Sequence, residues 1–104
     1  MKFADFDFNK QLLTALSDIS WETPSPVQAK TLPLVLGGYD VIGIAPTGTG
    51  KTGAYLLPIL KKLNYAQGDK PRALILVPTK ELVLQVEEHF ELLNQNMDLR
   101  MVAI

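Results

Sequence analysis

The run Ala45-Pro46-Thr47-Gly48-Thr49-Gly50-Lys51-Thr52 restricts the possible folds more than any other stretch of the chain. A short apolar run, Asp40-Val41-Ile42-Gly43-Ile44-Ala45, precedes it, and a helical pattern from Lys51 to about Leu63 follows. A strand that ends in a Gly-rich turn and feeds a helix is the setting of a phosphate-binding loop. The run fits that loop except that Ala45 stands where the strict form has Gly. Gly48 and Gly50 let the backbone turn tightly with its N–H groups pointing inwards. Those donors and the start of the following helix hold phosphate oxygens. Lys51 reaches the β- and γ-phosphates as a point charge, and Thr52 offers a hydroxyl to Mg²⁺. Lys51 and Thr52 are therefore the candidate catalytic residues. The bland alternative is a Gly-rich turn beside an exposed lysine, and the strand-to-helix setting argues against it.

The remaining pattern alternates in the same way. Phe3, Phe6 and Phe8 alternate with Asp5 and Asp7 in an extended or turn-like arm. Asn9 caps a helix with apolar positions Leu12, Leu13, Leu16 and Ile19. Ser25 and Pro26 read as N-cap and first residue of a helix through Gln28 and Leu32, kinked or restarted at Pro33 and ended by Gly37-Gly38. In the helix after the loop, Leu56, Leu57, Ile59, Leu60 and Leu63 face inwards. Residues 64–71 read as a surface loop. Arg72 to Val77 is a second buried strand, stopped by Pro78. Thr79 caps a helix with the apolar stripe Leu82, Val86, Phe90 and Leu93. Its acids lie mostly on the other faces as a solvated surface. Leu99 to Ile104 begins a third strand. Apolar strands alternating with helices predict an α/β fold with a parallel sheet flanked by helices.

Composition narrows the chemistry. The 104 residues suffice for one small domain. No Cys is present and His89 is the only His, which excludes disulfide scaffolds, zinc fingers and thiol nucleophiles. The net charge of −1 is not the basic footprint of a typical DNA-binding domain, but it leaves room for a few backbone contacts to nucleic acid. No apolar run is long enough to span a membrane. Acids stand at the N-terminus where a secretion signal would be apolar, so a soluble, cytoplasmic protein is expected.

The text around the loop resembles that of DEAD-box ATP-dependent RNA helicases. Phe3, followed by Ser20-Trp21-Glu22-Thr23-Pro24-Ser25-Pro26-Val27-Gln28, is similar to the family's Q motif, with the isolated aromatic at the family's spacing. Pro78-Thr79-Lys80-Glu81-Leu82 resembles motif Ia. The loop itself is similar to the family's version, in which Ala45 is normal. The resemblance covers the whole chain and implies the first part of a RecA-like domain, incomplete here. Residues 1–39 would form the Q-motif region and 40–104 the start of the RecA-like core.

The resemblance also implies roles. Gln28 would hydrogen-bond adenine, which a primary amide suits, having donors and an acceptor. Trp21 would lie near the base with Phe3 behind it. Residues Ala45, Pro46, Thr47, Gly48, Thr49, Gly50, Lys51 and Thr52 would hold the phosphates of ATP, with Mg²⁺ on Thr52. Pro78, Thr79, Lys80 and Glu81 would touch the backbone of single-stranded or duplex RNA. Taken singly, Gln28 reads as an exposed helix polar, Trp21 as core and Lys80 as a surface lysine.

Departures from the family pattern are Ser20 for the usual Gly, Lys80 for the usual Arg, and Val83 for the usual Ala. Replacing a guanidinium by Lys80 turns a fork of donors into a point charge. The Asp-Glu-Ala-Asp and Ser-Ala-Thr motifs and the second domain are absent from the sequence, so this chain alone is expected to be inactive. In the resembled fold, strands from later in the polypeptide separate the phosphate-loop strand from the next. Val41–Ala45 would then have open edges and Leu56–Leu60 would lack partners. Two other readings stay open: another phosphate-loop NTPase, such as a kinase or transport ATPase, and a non-catalytic fragment that binds nucleotide or RNA.

Overall fold

A computed structural model describes all of residues 1–104. One 3-10 turn and four helices make up its regular structure. The turn is Phe3–Phe6, and the helices are α1 (Lys10–Asp18), α2 (Pro26–Leu36), α3 (Lys51–Leu63) and α4 (Lys80–Leu93). Of the two forms expected for the arm, extended or turn-like, the structure shows the second: a single helical turn, closed by Asp5 accepting from the Lys2 backbone N–H at 2.8 Å.

Local chemistry sets the helix starts. Asn9 accepts from the Leu12 N–H at 2.8 Å, and Thr79 accepts from the Leu82 N–H at 3.2 Å. Each satisfies one of the donors that a helix start leaves orphaned. Ser25 caps α2, with Pro26 at the first position. Pro33 does not restart the helix, which runs unbroken to Leu36. Pro33 forfeits the one hydrogen bond its N–H would make to the Ala29 carbonyl, and the bonds on either side carry the helix through.

One apolar cluster holds the helices together. It joins Phe3 and Phe8 of the arm, Leu12 and Leu16 of α1, and Leu32 of α2. Leu56, Leu57 and Leu60 of α3, Val86, Phe90 and Leu93 of α4, and Leu99 complete it. The expectation that Leu56–Leu60 would lack partners is overturned for three of these residues: Leu56, Leu57 and Leu60 are buried in this cluster, in a helix packed mainly on α2. Ile59 and Leu63 are only half-buried. Leu82 is exposed rather than part of an inward stripe, because α4 enters the core only from Val86 onwards.

The expected sheet is not formed. Residues 40–45, 72–77 and 99–104 are apolar and follow the helices as predicted, but none belongs to a strand. Residues 40–49, 66–78 and 98–104 take part in none of the backbone–backbone hydrogen bonds outside the helices. A sheet needs ladder bonds between neighbours at about 4.8 Å, and no backbone bond joins the three segments to one another. Each is anchored at one end instead. Arg72 donates to the carbonyls of Leu63 and Tyr65 at the end of α3, and Arg100 to that of Gly68. The Asn94 carboxamide after α4 brackets Leu99, donating to its carbonyl at 2.8 Å and accepting from its N–H at 3.2 Å.

Candidate nucleotide-binding site

The site forms where the start of α3 meets the start of α2. Gly48 and Gly50 hold φ values of 85° and 90°, a region that side chains strongly disfavour. Two hydroxyl and ammonium contacts shape the loop from within. Thr49 Oγ1 donates to the Pro46 carbonyl at 2.6 Å, and Lys51 Nζ to the Ala45 carbonyl at 2.6 Å. The backbone N–H groups from Gly48 to Gly53 donate to no protein acceptor, and no side chain caps α3. Such a row of free donors at a helix start suits an anion. Thr52 lies half-buried in the first turn of α3.

Gln28 ties the two helix starts together. Its Oε1 accepts from the Ser25 N–H at 3.0 Å, and its Nε2 donates to the Gly50 carbonyl at 2.9 Å. The Ser25 hydroxyl accepts from the Gln28 N–H at 3.4 Å, closing a reciprocal capping box. Gln28 is buried, not the exposed helix polar it resembles in isolation. Its capping role is written in the sequence as Ser25 followed three residues later by Gln28.

Trp21 stacks beside Phe3, with centroids 6.1 Å apart and planes 21° apart. The Phe3 N–H donates to the Glu22 carbonyl at 2.9 Å, pinning the arm to this strip. Gln28 Nε2 and Trp21 Cζ3 press so closely on Gly53 that a Cβ there would lie 2.7 and 2.8 Å from them. The structure therefore gathers Phe3, Trp21, Gln28 and the loop into one place. It adds His89 of α4, whose ring lies 6.2 Å from Trp21 while its Nδ1–H donates to the Gln85 carbonyl. No sequence signal marks His89, because its neighbour lies far away in the chain. Ser20 holds φ 62°, which accounts for a glycine being usual there.

Pro78, Thr79, Lys80 and Glu81 form a separate, exposed group at the start of α4. No hydrogen bond or ring contact joins them to the loop or to Gln28. Glu81 lies in the acidic first turn, and the Thr79 hydroxyl is engaged in capping.

A model of the DEAD/DEAH box helicase family matches residues 25–104. The chain is 47% identical over 88 residues to the ATP-dependent RNA helicase DeaD of Mycobacterium tuberculosis, covering 85% of this chain and 16% of that protein. It is 42% identical over 102 residues to the ATP-dependent rRNA helicase RRP3 of Lodderomyces elongisporus, covering 98% and 20%. Among solved structures, the RNA helicase Prp28 of Chaetomium thermophilum bound to ADP superimposes with a TM-score of 0.82 at 36% identity, over 90% of this chain and 24% of that one. A DEAD box protein of Methanococcus jannaschii superimposes with a TM-score of 0.85 at 32% identity, over 95% and 27%. The chain thus spans a fifth or less of the length of these two curated relatives.

Proposed function

Because the chain belongs to the DEAD/DEAH box helicase family, we propose that it is the ATP-binding part of an ATP-dependent RNA helicase that remodels or unwinds short duplexes. In this reading residues 1–39 form the adenine-reading region, and 40–104 begin an α/β RecA-like core. The segments 40–45, 72–77 and 99–104 become strands of its parallel sheet when their neighbours are supplied. The likeness to solved helicases, over most of the chain, supports that placement.

The observation that carries the reading is the hydrogen-bond state of Gln28. A primary amide has two N–H donors and two acceptor lone pairs. One donor is spent on the Gly50 carbonyl and one lone pair on the Ser25 N–H. One donor and one acceptor remain, on a residue only 4% exposed. That pair matches N7 and N6–H of adenine. Guanine presents two acceptors at the same edge and leaves the remaining Gln28 lone pair without a donor. The same side chain holds the loop, so base reading and phosphate holding share one residue.

At the other end, the free N–H groups of Gly48 to Gly53 and the Lys51 ammonium hold phosphate oxygens. The Thr52 hydroxyl is the ligand this chain offers to Mg²⁺, and the ion would neutralise charge on the phosphates. Pro78, Thr79, Lys80 and Glu81 meet the RNA backbone through backbone amides at the start of α4 and the Lys80 charge. The hydrolytic carboxylates lie outside these residues, so turnover belongs to the longer polypeptide.

The test compares ATP and GTP affinities before and after Gln28→Ala in a polypeptide holding the whole ATPase domain. The preference for ATP should narrow by about 5- to 100-fold, the loss of one or two hydrogen bonds in a site that desolvates them. An unchanged ratio would remove Gln28 from base recognition and favour a phosphate-loop NTPase of another kind.

A further inference from the structure

Trp21 follows the left-handed Ser20 in a segment that belongs to no helix, so what packs on the indole decides where it stands. Its backbone N–H donates to the Leu16 carbonyl at 2.8 Å, which fixes the main chain but leaves the side chain to be placed by its neighbours. Three neighbours place it. Phe3 stacks on the indole, Gly53 of α3 gives room for its edge, and the His89 ring of α4 meets it at 6.2 Å with planes 45° apart. Both ring separations lie within the range of interacting aromatic pairs.

His89 is itself held. Its Nδ1–H donates to the Gln85 carbonyl, one turn earlier, at 2.9 Å, which sets the ring. Val86 and Leu93, three residues before it and four after, share its side of α4 and are buried in the core. A histidine at the margin of an apolar stripe is ordinarily a solvated polar residue, but this one is half-buried with its ring set against Trp21. Every group in the arrangement belongs to this chain, so it waits on no neighbour from the longer polypeptide.

We propose that His89 is a positioning residue for the nucleotide, holding Trp21 in place as the wall beside the base. The inference rests on the reading of Gln28 as the group that meets the base. The Trp21 edge and Gln28 Nε2 press on the same Gly53, so an indole that swings away opens the site next to the carboxamide. A flat apolar wall tells no base from another, so His89 serves affinity and not the choice between adenine and guanine. His89 makes no hydrogen bond to the phosphate loop, and its loss leaves the phosphate end as it is.

Two measurements test this. Trp21 is the only Trp of the chain, so its emission reports the wall directly. His89→Ala should move that emission to longer wavelength as water reaches the indole, whereas Glu88→Ala, exposed on the same helix, should not. In a polypeptide holding the whole ATPase domain, His89→Ala should weaken ATP and GTP by the same factor of about 2- to 10-fold, the worth of one aromatic pair. Tripolyphosphate, which has no base, should bind the parent and the variant equally. His89→Phe should restore most of the affinity because it keeps a ring, and His89→Asn, polar but without a ring, should not. An unmoved emission, an unchanged ATP affinity, a tripolyphosphate affinity that falls as far as that of ATP, or rescue by Asn but not by Phe overturns the proposal. Gln28→Ala, measured alongside, separates the two readings. If it narrows the preference for ATP while His89→Ala has no effect, the base reading stands and this inference falls; if neither variant has an effect, both fall.

Discussion

Replacing Gly50 by alanine tests whether Gln28 holds the phosphate loop. Gly50 sits at φ 90° and ψ 23°. An alanine there incurs the left-handed penalty of about 1–2 kcal/mol. Its Cβ would also lie 2.6 Å from Gln28 Nε2 and 3.0 Å from Ser25 Oγ. The carboxamide has to leave, breaking its bonds to Gly50 and Ser25, each worth about 0.5–1.5 kcal/mol. The expected total for Gly50→Ala is about 2–5 kcal/mol. Gly48 is the control: its φ is 85°, but no atom lies within 4 Å of a Cβ there. Gly48→Ala should therefore cost only the backbone share of about 1–2 kcal/mol.

The two variants are compared by urea unfolding at one fixed protein concentration, followed through Trp21, the only Trp of the chain. Repeating both in a Gln28→Ala background completes a double-mutant cycle. With the carboxamide gone, Gly50→Ala should cost no more than Gly48→Ala. Equal costs in the parent background, or a gap that survives the loss of Gln28, would refute the link between the two helix starts.

Two further outcomes follow from the same geometry. In a polypeptide with the whole ATPase domain, Lys51→Ala should weaken ATP binding about 10- to 100-fold, since charge-assisted contacts are worth about 1.5–3 kcal/mol each; equal affinities by titration calorimetry would remove the loop from the mechanism. Thr79→Ala should lower unfolding stability by about 1 kcal/mol through the lost cap on Leu82, and Thr79→Ser should restore most of it; an alanine variant with the parent's urea midpoint would show that the cap is idle.

What the sequence made legible was what is decided locally. Asn9, Ser25 and Thr79 announce their helices because a cap is chosen by a side chain and a backbone group a few residues apart. Gly48 and Gly50 announce the loop because few other residues accept its backbone angles. The apolar segments at 41–45 and 73–77 read as buried strands of a sheet, yet they form no strand and leave Ile42, Ile44, Leu74 and Leu76 exposed, since pairing and burial depend on neighbours that no short window contains. The meeting of Trp21 with His89, and the burial of Gln28, were hidden for the same reason. Both depend on how α2, α3 and α4 pack, and no short window of sequence contains that.

The Asn94 bracket on Leu99 settles the phase of the last segment. A single carboxamide engages both ladder groups of Leu99, as a residue of an adjoining strand would. Leu99 is thereby locked inwards, Met101 follows it, and Val102 and Ile104 must face out. A slip of one residue would exchange those two sets and bring Arg100 towards the core. The end of α4 acts as a jig that sets parity before any ladder exists, so a strand arriving alongside meets a partner whose register has already been chosen.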